Sequence, residues 1–481
     1  RKMSWDLFTL SFSPFSHSRP GEMSLRTMKS YGTIGSQEEL NVQPKPRVSR
    51  KRQICATIVA FTGLVLYSNN APRPGSVSQS VASTPSREYE KATSSSARVK
   101  DSVAYDVDDD GLYVPSTDPD ATRSTRALLT AMVEVSDTSG IMFGQQNANY
   151  EGQYFRDTDA VTGRCDIANA TSTNSTSADG GFPAVVGFNS QDLLDGKDLS
   201  AHVMAAYKEG ATIEFYWMSA NPVTGGDEAN CTGEPLTNLL PGGSGNSAWR
   251  ADLDTIGNGL KSFTYKGEQI PIVFRFLHEM TGTWYWWSSG CSNSTEYAPA
   301  WNYTVNYLRD SVGVHNVLYI YAASKVSWYA NETFVDWYPG NSAVDIIGFD
   351  RYQNVAEYPT SVLSDCQTAV AHGIKLGKVV ALAETGISMG IQGIKNTNFF
   401  TDDFMGLLAE DELCGQIVYA LTWANYSPEK YWVPLKGQTT WSSFAEMYES
   451  DISIFAGDKR WVSIQKKIGM GNKPDTGEDV L

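Results

Sequence analysis

IVYALTW, residues 417–423, decides the fold, because it is the eighth run of its kind. Seven others precede it: IMFGQQ (141–146), AVVGFNS (184–190), TIEFYWM (212–218), IVFRFLHE (272–279), VLYIYAA (317–323), IIGFDRY (346–352) and VVALAET (379–385). Each has the length and apolar character of a buried strand. Between them lie stretches of helical periodicity, LSAHVMAAYKEG (199–210), TVNYLRDSV (304–312), SVLSDCQTAVAHG (361–373) and FFTDDFMGLLAED (399–411), each able to cover one face of a parallel sheet. Such alternation builds either an open doubly wound sheet or a closed barrel. The open sheet needs no eighth strand and usually carries a Gly-rich phosphate loop, which this sequence lacks. The sequence therefore predicts an α/β fold of the (β/α)8 TIM-barrel type.

The barrel is expected over residues 114–470, followed by a short tail at 471–481. Such barrels take about 250 residues and can exceed 400 with insertions, so one catalytic domain suffices. Residues 1–53 read as a basic, disordered tail. The apolar run ICATIVAFTGLVLY (54–67) follows Arg47, Arg50, Lys51 and Arg52, the pairing of a targeting signal. It is shorter than the roughly 20 residues that cross a bilayer comfortably, and fits a signal-peptide core or a short signal anchor with its basic flank in the cytosol. Residues 68–113 read as a Ser/Pro-rich linker.

Charge divides along the same line. The first 100 residues carry a balance of +9 and the remainder −25, within a total of −16. An acidic folded part argues against nucleic acid as a partner and suits a neutral polymer, which needs no electrostatic capture. Asn169, Asn174, Asn230, Asn293, Asn302, Asn331 and Asn425 lie in N-x-[ST] sequons, which agrees with passage through a secretory pathway. The expected location is extracellular, in a cell wall, or at a membrane in type II orientation, and the expected state is a monomer. Cys165, Cys231, Cys291, Cys366 and Cys414 would then meet an oxidising lumen, where an odd number leaves at least one thiol free. Cys231 and Cys291, in loops after neighbouring strands, form the preferred bridge.

In a TIM barrel the catalytic groups stand at the C-terminal ends of the strands. Strand four ends in His278-Glu279, strand six in Asp350-Arg351-Tyr352, strand seven in Glu384-Thr385 and strand eight in Trp423. Because side chains alternate along a strand, Arg275, Leu277 and Glu279 are expected to share one face, as are Leu382 and Glu384, so that both glutamates can point inward together. A lone glutamate at a strand end is more often a solvated or ion-paired group, and the TWYWW cluster (283–287) could be core. Their coincidence with a histidine and an arginine at named strand ends favours chemistry. Two carboxylates among aromatics suit glycoside hydrolysis, where one acid protonates the departing oxygen and a carboxylate attacks the anomeric carbon or activates water. Glu279 would need a raised pKa and Glu384 an ionised form. No cofactor or metal is required. The acidic DVDDDG (106–111) lacks the spaced ligands of a Ca²⁺ loop and reads as a solvated turn.

From about Ile141 to Pro434 the sequence resembles glycoside hydrolase family 26. PIVFRFLHEMTGTWYWW (271–287) is similar to the family's acid/base segment and ALAETG (381–386) to its nucleophile segment. The resemblance implies a retaining endo-acting β-glycoside hydrolase that cleaves β-1,4-mannan, with Glu279 as acid/base and Glu384 as nucleophile. It further implies substrate-binding roles for His278, Arg275, Trp284, Asp350 and Tyr352, with Trp423 as a floor for sugar stacking. Smaller groups of the family point to β-1,3-xylan or mixed-linkage β-glucan as alternatives. A carbohydrate-binding protein without catalysis is the alternative of another class. Departures fall in substrate-contacting territory. YWMSANP (216–222) stands where many mannanases carry Trp-His-Met-x-Asn-Pro, Gly144-Gln145-Gln146 stands for Gly-His-Gln, and Phe276 and Thr281 replace Pro and Asn.

Overall fold

The computed structural model describes residues 97–156, 165–173, 180–328 and 334–470. The apolar run at 54–67, Cys55, Asn174, Asn331 and the tail at 471–481 lie outside the described residues.

Eight parallel strands form the barrel: β1 (Ile141–Gln146), β2 (Val185–Asn189), β3 (Thr212–Trp217), β4 (Ile272–Phe276), β5 (Val317–Ser324), β6 (Ile346–Gln353), β7 (Val379–Ile387) and β8 (Tyr419–Thr422). Each pairs with its sequence neighbour, and β8 pairs with β1 from Tyr419↔Met142 to Thr422↔Gln145, which closes the sheet. The eighth strand thus does what the sequence reading required of it. A two-residue strand, Ser453–Ile454, adds to the other side of β1.

Helices α1 (Arg123–Val135), α2 (Ser200–Lys208), α3 (Asn246–Ser262), α4 (Ser294–Asn306), α5 (Tyr358–Leu376), α6 (Met405–Glu410), α7 (Trp441–Glu449) and α8 (Lys459–Ile468) surround the barrel. Outward-facing strand residues pack on them through aromatic pairs. Trp217 stacks on Trp249 of α3 at 4.7 Å, and Phe276 stacks on Trp301 of α4 at 4.1 Å. Each such pair adds about 0.5–1.5 kcal/mol beyond area burial.

The packed region starts before the expected boundary at 114. Val99 is fully buried, with its N–H on Gln416 Oε1 at 2.8 Å. Tyr105 donates to the Asp345 carbonyl and accepts from the Val379 N–H, and Ala104 N–H bonds the carbonyl of Gly377, at φ 70° the C-terminal stop of α5. These contacts lie at the N-terminal ends of β6 and β7, so residues 99–113 seal the end of the barrel opposite the C-terminal ends of the strands. In the acidic turn, Asp108 binds the Asp110 and Leu112 amides and pairs with Arg126 at 2.8 Å, so its carboxylate is committed to the fold.

Two disulfides are present, Cys231–Cys291 as expected and Cys366–Cys414 in addition, which leaves Cys165 as a buried thiol. Among the described sequons, Asn169 and Asn293 are exposed, whereas Asn425 is fully buried and donates to Asp166 and to the Val433 carbonyl. Its place in the folded core removes Asn425 from the expected glycosylation sites. No helix among the described residues is long and apolar enough to cross a membrane.

Candidate active site

Arg275, fully buried on β4, is the hub of the barrel mouth. Its Nε donates to Glu214 at 3.1 Å, Nη1 to Asp350 at 3.0 Å and Nη2 to Glu384 at 2.6 Å. Strands β3, β4, β6 and β7 each supply one member, because alternation sends these side chains inward while their neighbours pack on helices. Tyr352 Oη adds a hydrogen bond to the other Glu384 oxygen at 3.0 Å, so both carboxylate oxygens are held. Three carboxylates on one guanidinium leave negative charge uncompensated. Burial, opposed by Arg275, pushes Glu214 up and Asp350 well above the usual carboxylate range.

Glu279 reaches the mouth by a route that strand alternation does not describe. β4 ends at Phe276, and both Leu277 (φ 43°) and Glu279 (φ 55°) adopt the left-handed conformation. The expected shared face of Arg275, Leu277 and Glu279 is therefore corrected: alternation stops three residues short of the acid. Left-handed non-glycine residues are uncommon and cost of order 1–3 kcal/mol, and they cluster at functional sites. Here the surroundings fix them. Glu279 N–H donates to the Ala322 carbonyl at 2.7 Å, Thr281 Oγ1 to the Ser324 carbonyl at 2.6 Å, and Tyr297 Oη to the Leu277 carbonyl at 2.9 Å.

Trp284 Nε1 donates to Glu279 Oε2 at 2.8 Å. Of the four aromatics at 284–287 it alone is partly exposed, whereas Tyr285, Trp286 and Trp287 are core. The TWYWW cluster is thus both things at once. Burial, and next the charge of Glu384, raise the Glu279 carboxyl to about 7, against opposing pulls from Trp284, Arg275 and Lys325. Burial also raises Glu384, but Arg275 and Tyr352 oppose it at close range. Glu279 lacks a directly bonded guanidinium, so of the two it is the one that keeps its proton.

A pH dependence follows. If Glu279 must be protonated to act, the alkaline limb of kcat/KM should fall near pH 7, well above an ordinary glutamate's titration. Stability moves the same way: between the unfolded value and about 7 the folded form binds more protons, so this group's contribution is lost as pH rises through that window. A limb near pH 4–5 would contradict the assignment.

The remaining expected residues divide. Trp423 is only 2% exposed; its ring lies 5.4 Å from that of Tyr216, which also sits 5.8 Å from the Arg275 guanidinium, and its Nε1 donates to Tyr426 at 2.5 Å. His278 makes no hydrogen bond through its ring among the described residues and packs edge-on to Tyr285 at 5.5 Å. Burial, then the Arg275 charge, hold it well below the usual histidine range and therefore neutral. The structure brings Arg275, Asp350, Tyr352 and Glu384 into one bonded network, and Glu279 with Trp284 into a second. Sequence reading missed Glu214 and Tyr419, whose hydroxyl donates to Glu214 at 2.9 Å. The signal was there in a charge inside the otherwise apolar TIEFYW. Gln146 Nε2 approaches Glu214 at 3.4 Å, and a Cβ on Gly187 would sit 1.8 Å from Gln146 Oε1, so a larger residue there would displace the Gln146 amide.

The departures at Phe276 and Thr281 are matters of packing. Phe276 stacks outward on α4, as Trp217 does on α3, and Thr281 braces the β4–β5 junction, whereas the half-buried Met218 stands where the motif has its histidine. Gln145 donates to the Trp423 carbonyl at 3.3 Å and so supports the β8 end. Among the described residues no group of three or more His, Cys, Asp or Glu side chains is placed to hold a metal ion.

The chain is similar to known proteins. A mannan endo-1,4-beta-mannosidase of Bifidobacterium adolescentis is 31% identical over 345 residues, 66% of this chain and 32% of that protein. One from Bacillus subtilis is 28% identical over 37% of this chain and 52% of its own length. The chain thus spans about a third and about half of these two relatives. The structure is similar to a modular endo-beta-1,4-mannanase from Cellulomonas fimi, with TM-score 0.63 and 27% identity over 71% of this chain and 77% of that one. The catalytic domain of a Bacillus sp. JAMB-750 endo-beta-1,4-mannanase matches with TM-score 0.64 and 26% identity, over 73% of this chain and 96% of that one. Residues 117–406, more than half of the 481, match the sequence profile of Glycosyl hydrolase family 26, and the chain belongs to that family.

Proposed function

We propose that the protein is a retaining endo-β-1,4-mannanase. Glu279 protonates the departing glycosidic oxygen, Glu384 attacks the anomeric carbon, and Glu279 then activates the water that releases the glycosyl-enzyme. The observation that carries this reading is the opposed environment of the two acids, one on an indole N–H with its carboxyl raised to about 7, the other clasped by Arg275 and Tyr352. A guanidinium and a phenol hydroxyl hold the Glu384 carboxylate in line and temper its charge. Asp350 and Glu214 fix Arg275 in turn. Trp284, partly exposed, is assigned to sugar stacking, where an indole face gives affinity for a neutral pyranose without charge, and the buried Trp423 and His278 are assigned to the shell that supports the sugar site.

Mannan as substrate is supported by the names of the relatives. The two disulfides support an oxidising compartment, and the run at 54–67 is assigned as signal or anchor. Reducing-sugar release by the full chain from mannan, glucomannan, β-1,3-xylan and mixed-linkage glucan tests the reading. Preference for the mannans is expected. Preference for xylan or glucan would keep the mechanism and move the substrate, and inactivity on all four would favour a binding protein.

A further inference from the structure

β5 ends at Ser324 in a turn fixed at three points. Lys325, left-handed at φ 49°, donates its N–H to the Asp350 carbonyl of β6 at 3.1 Å. Val326 is buried, and Ser327 gives both its N–H and its hydroxyl to Asp365, a fully buried carboxylate on α5 that also takes Arg351. Trp328 N–H returns to the Lys325 carbonyl at 2.9 Å and closes the turn. Two side chains leave this frame. Lys325 Nζ lies 5.7 Å from the ring centroid of Trp284, the indole bonded to Glu279, and Trp328 is 66% exposed.

A single exposed apolar residue is ordinary on a protein surface. Trp328 differs because its turn is held by buried anchors beside the acid. A flat apolar face already fixed in place loses little freedom when a sugar stacks on it. The side of the site follows from chemistry. Nucleophile and leaving group lie on opposite sides of the anomeric carbon, so the departing sugar lies towards Glu279. The Glu279 segment is bonded to β5 through Ala322 and Ser324, directly before this turn.

We propose that Lys325 and Trp328 form a leaving-group-side subsite that takes the pyranose units on the reducing-end side of the scissile bond. Trp328 is the stacking platform, and the Lys325 ammonium donates to ring hydroxyls. The subsite rests on the hydrolase reading, so its test uses two substrates of the same sugar: an aryl β-glycoside of the disaccharide, whose leaving group is a phenol, and the hexasaccharide. In Trp328→Ala the ratio of kcat/KM on the hexasaccharide to that on the aryl glycoside is expected to fall about tenfold, chiefly through KM. Trp328→Phe should recover most of the ratio, Lys325→Met should lower it, and hexasaccharide cleavage points should shift. A ratio unmoved in Trp328→Ala and Lys325→Met, or an equal fall on both substrates, overturns the subsite. Wild-type inactivity on both substrates would instead remove the hydrolase reading beneath it.

Discussion

Glu384→Gln is expected to lower kcat on the preferred polymer by at least about 10⁴-fold, the scale seen when a covalent nucleophile is removed. The amide keeps the shape of the carboxylate: its oxygen can accept from Arg275 Nη2, and its NH2 can donate to Tyr352 Oη, which then accepts. Polymer affinity should therefore survive while turnover does not. Glu279→Gln separates the roles. Loss of a general acid costs about 10²–10⁴-fold on a polymer, whose departing alkoxide needs a proton, and much less on an aryl glycoside with an acidic phenol. Steady-state kinetics on the two substrates check both variants. An active Glu384→Gln, or a Glu279→Gln equally impaired on both substrates, would reverse the assignment.

Arg275→Met is expected to be the most destabilising single change at the mouth. The guanidinium is fully buried and holds three carboxylates that are themselves almost wholly buried. Removing one partner of a buried ion pair costs about 3–5 kcal/mol, because the charges left behind have lost their compensation. For a barrel of this size that amounts to a fall in Tm of roughly 4–6 °C. The loss should depend on pH. With the cation gone, Glu214, Asp350 and Glu384 are pushed further up, so the folded state binds more protons and the defect eases as pH falls. Thermal melts at pH 5 and pH 7 decide it: a larger loss at pH 7 is expected, and an equal loss at both would mean that packing rather than charge is at stake.

The barrel was legible because its strands are covered on both faces and read as near-continuous apolar runs; all eight fall within a few residues of their expected places. Glu279 and Glu384 were legible because polar side chains in such runs have few structural uses. The path to Glu279 was not, since it depends on two left-handed residues after Phe276 that no alternation rule encodes. Nor was Glu214 weighed. A charge in mid-strand becomes intelligible only when the closed barrel puts Arg275 and Tyr419 opposite it. The start of the packed region at Val99 rests on long-range contacts to Gln416 and Asp345 that local composition does not reveal.

The anomeric configuration of the first product, followed by proton NMR in the opening minutes of hydrolysis of a β-linked oligosaccharide, tests the central claim most directly. Attack by Glu384 followed by water gives two inversions, so the β-hemiacetal should appear first and the α-form only later by mutarotation. An α-hemiacetal formed first would mean that water attacks directly, and Glu384 would then be a base rather than the nucleophile.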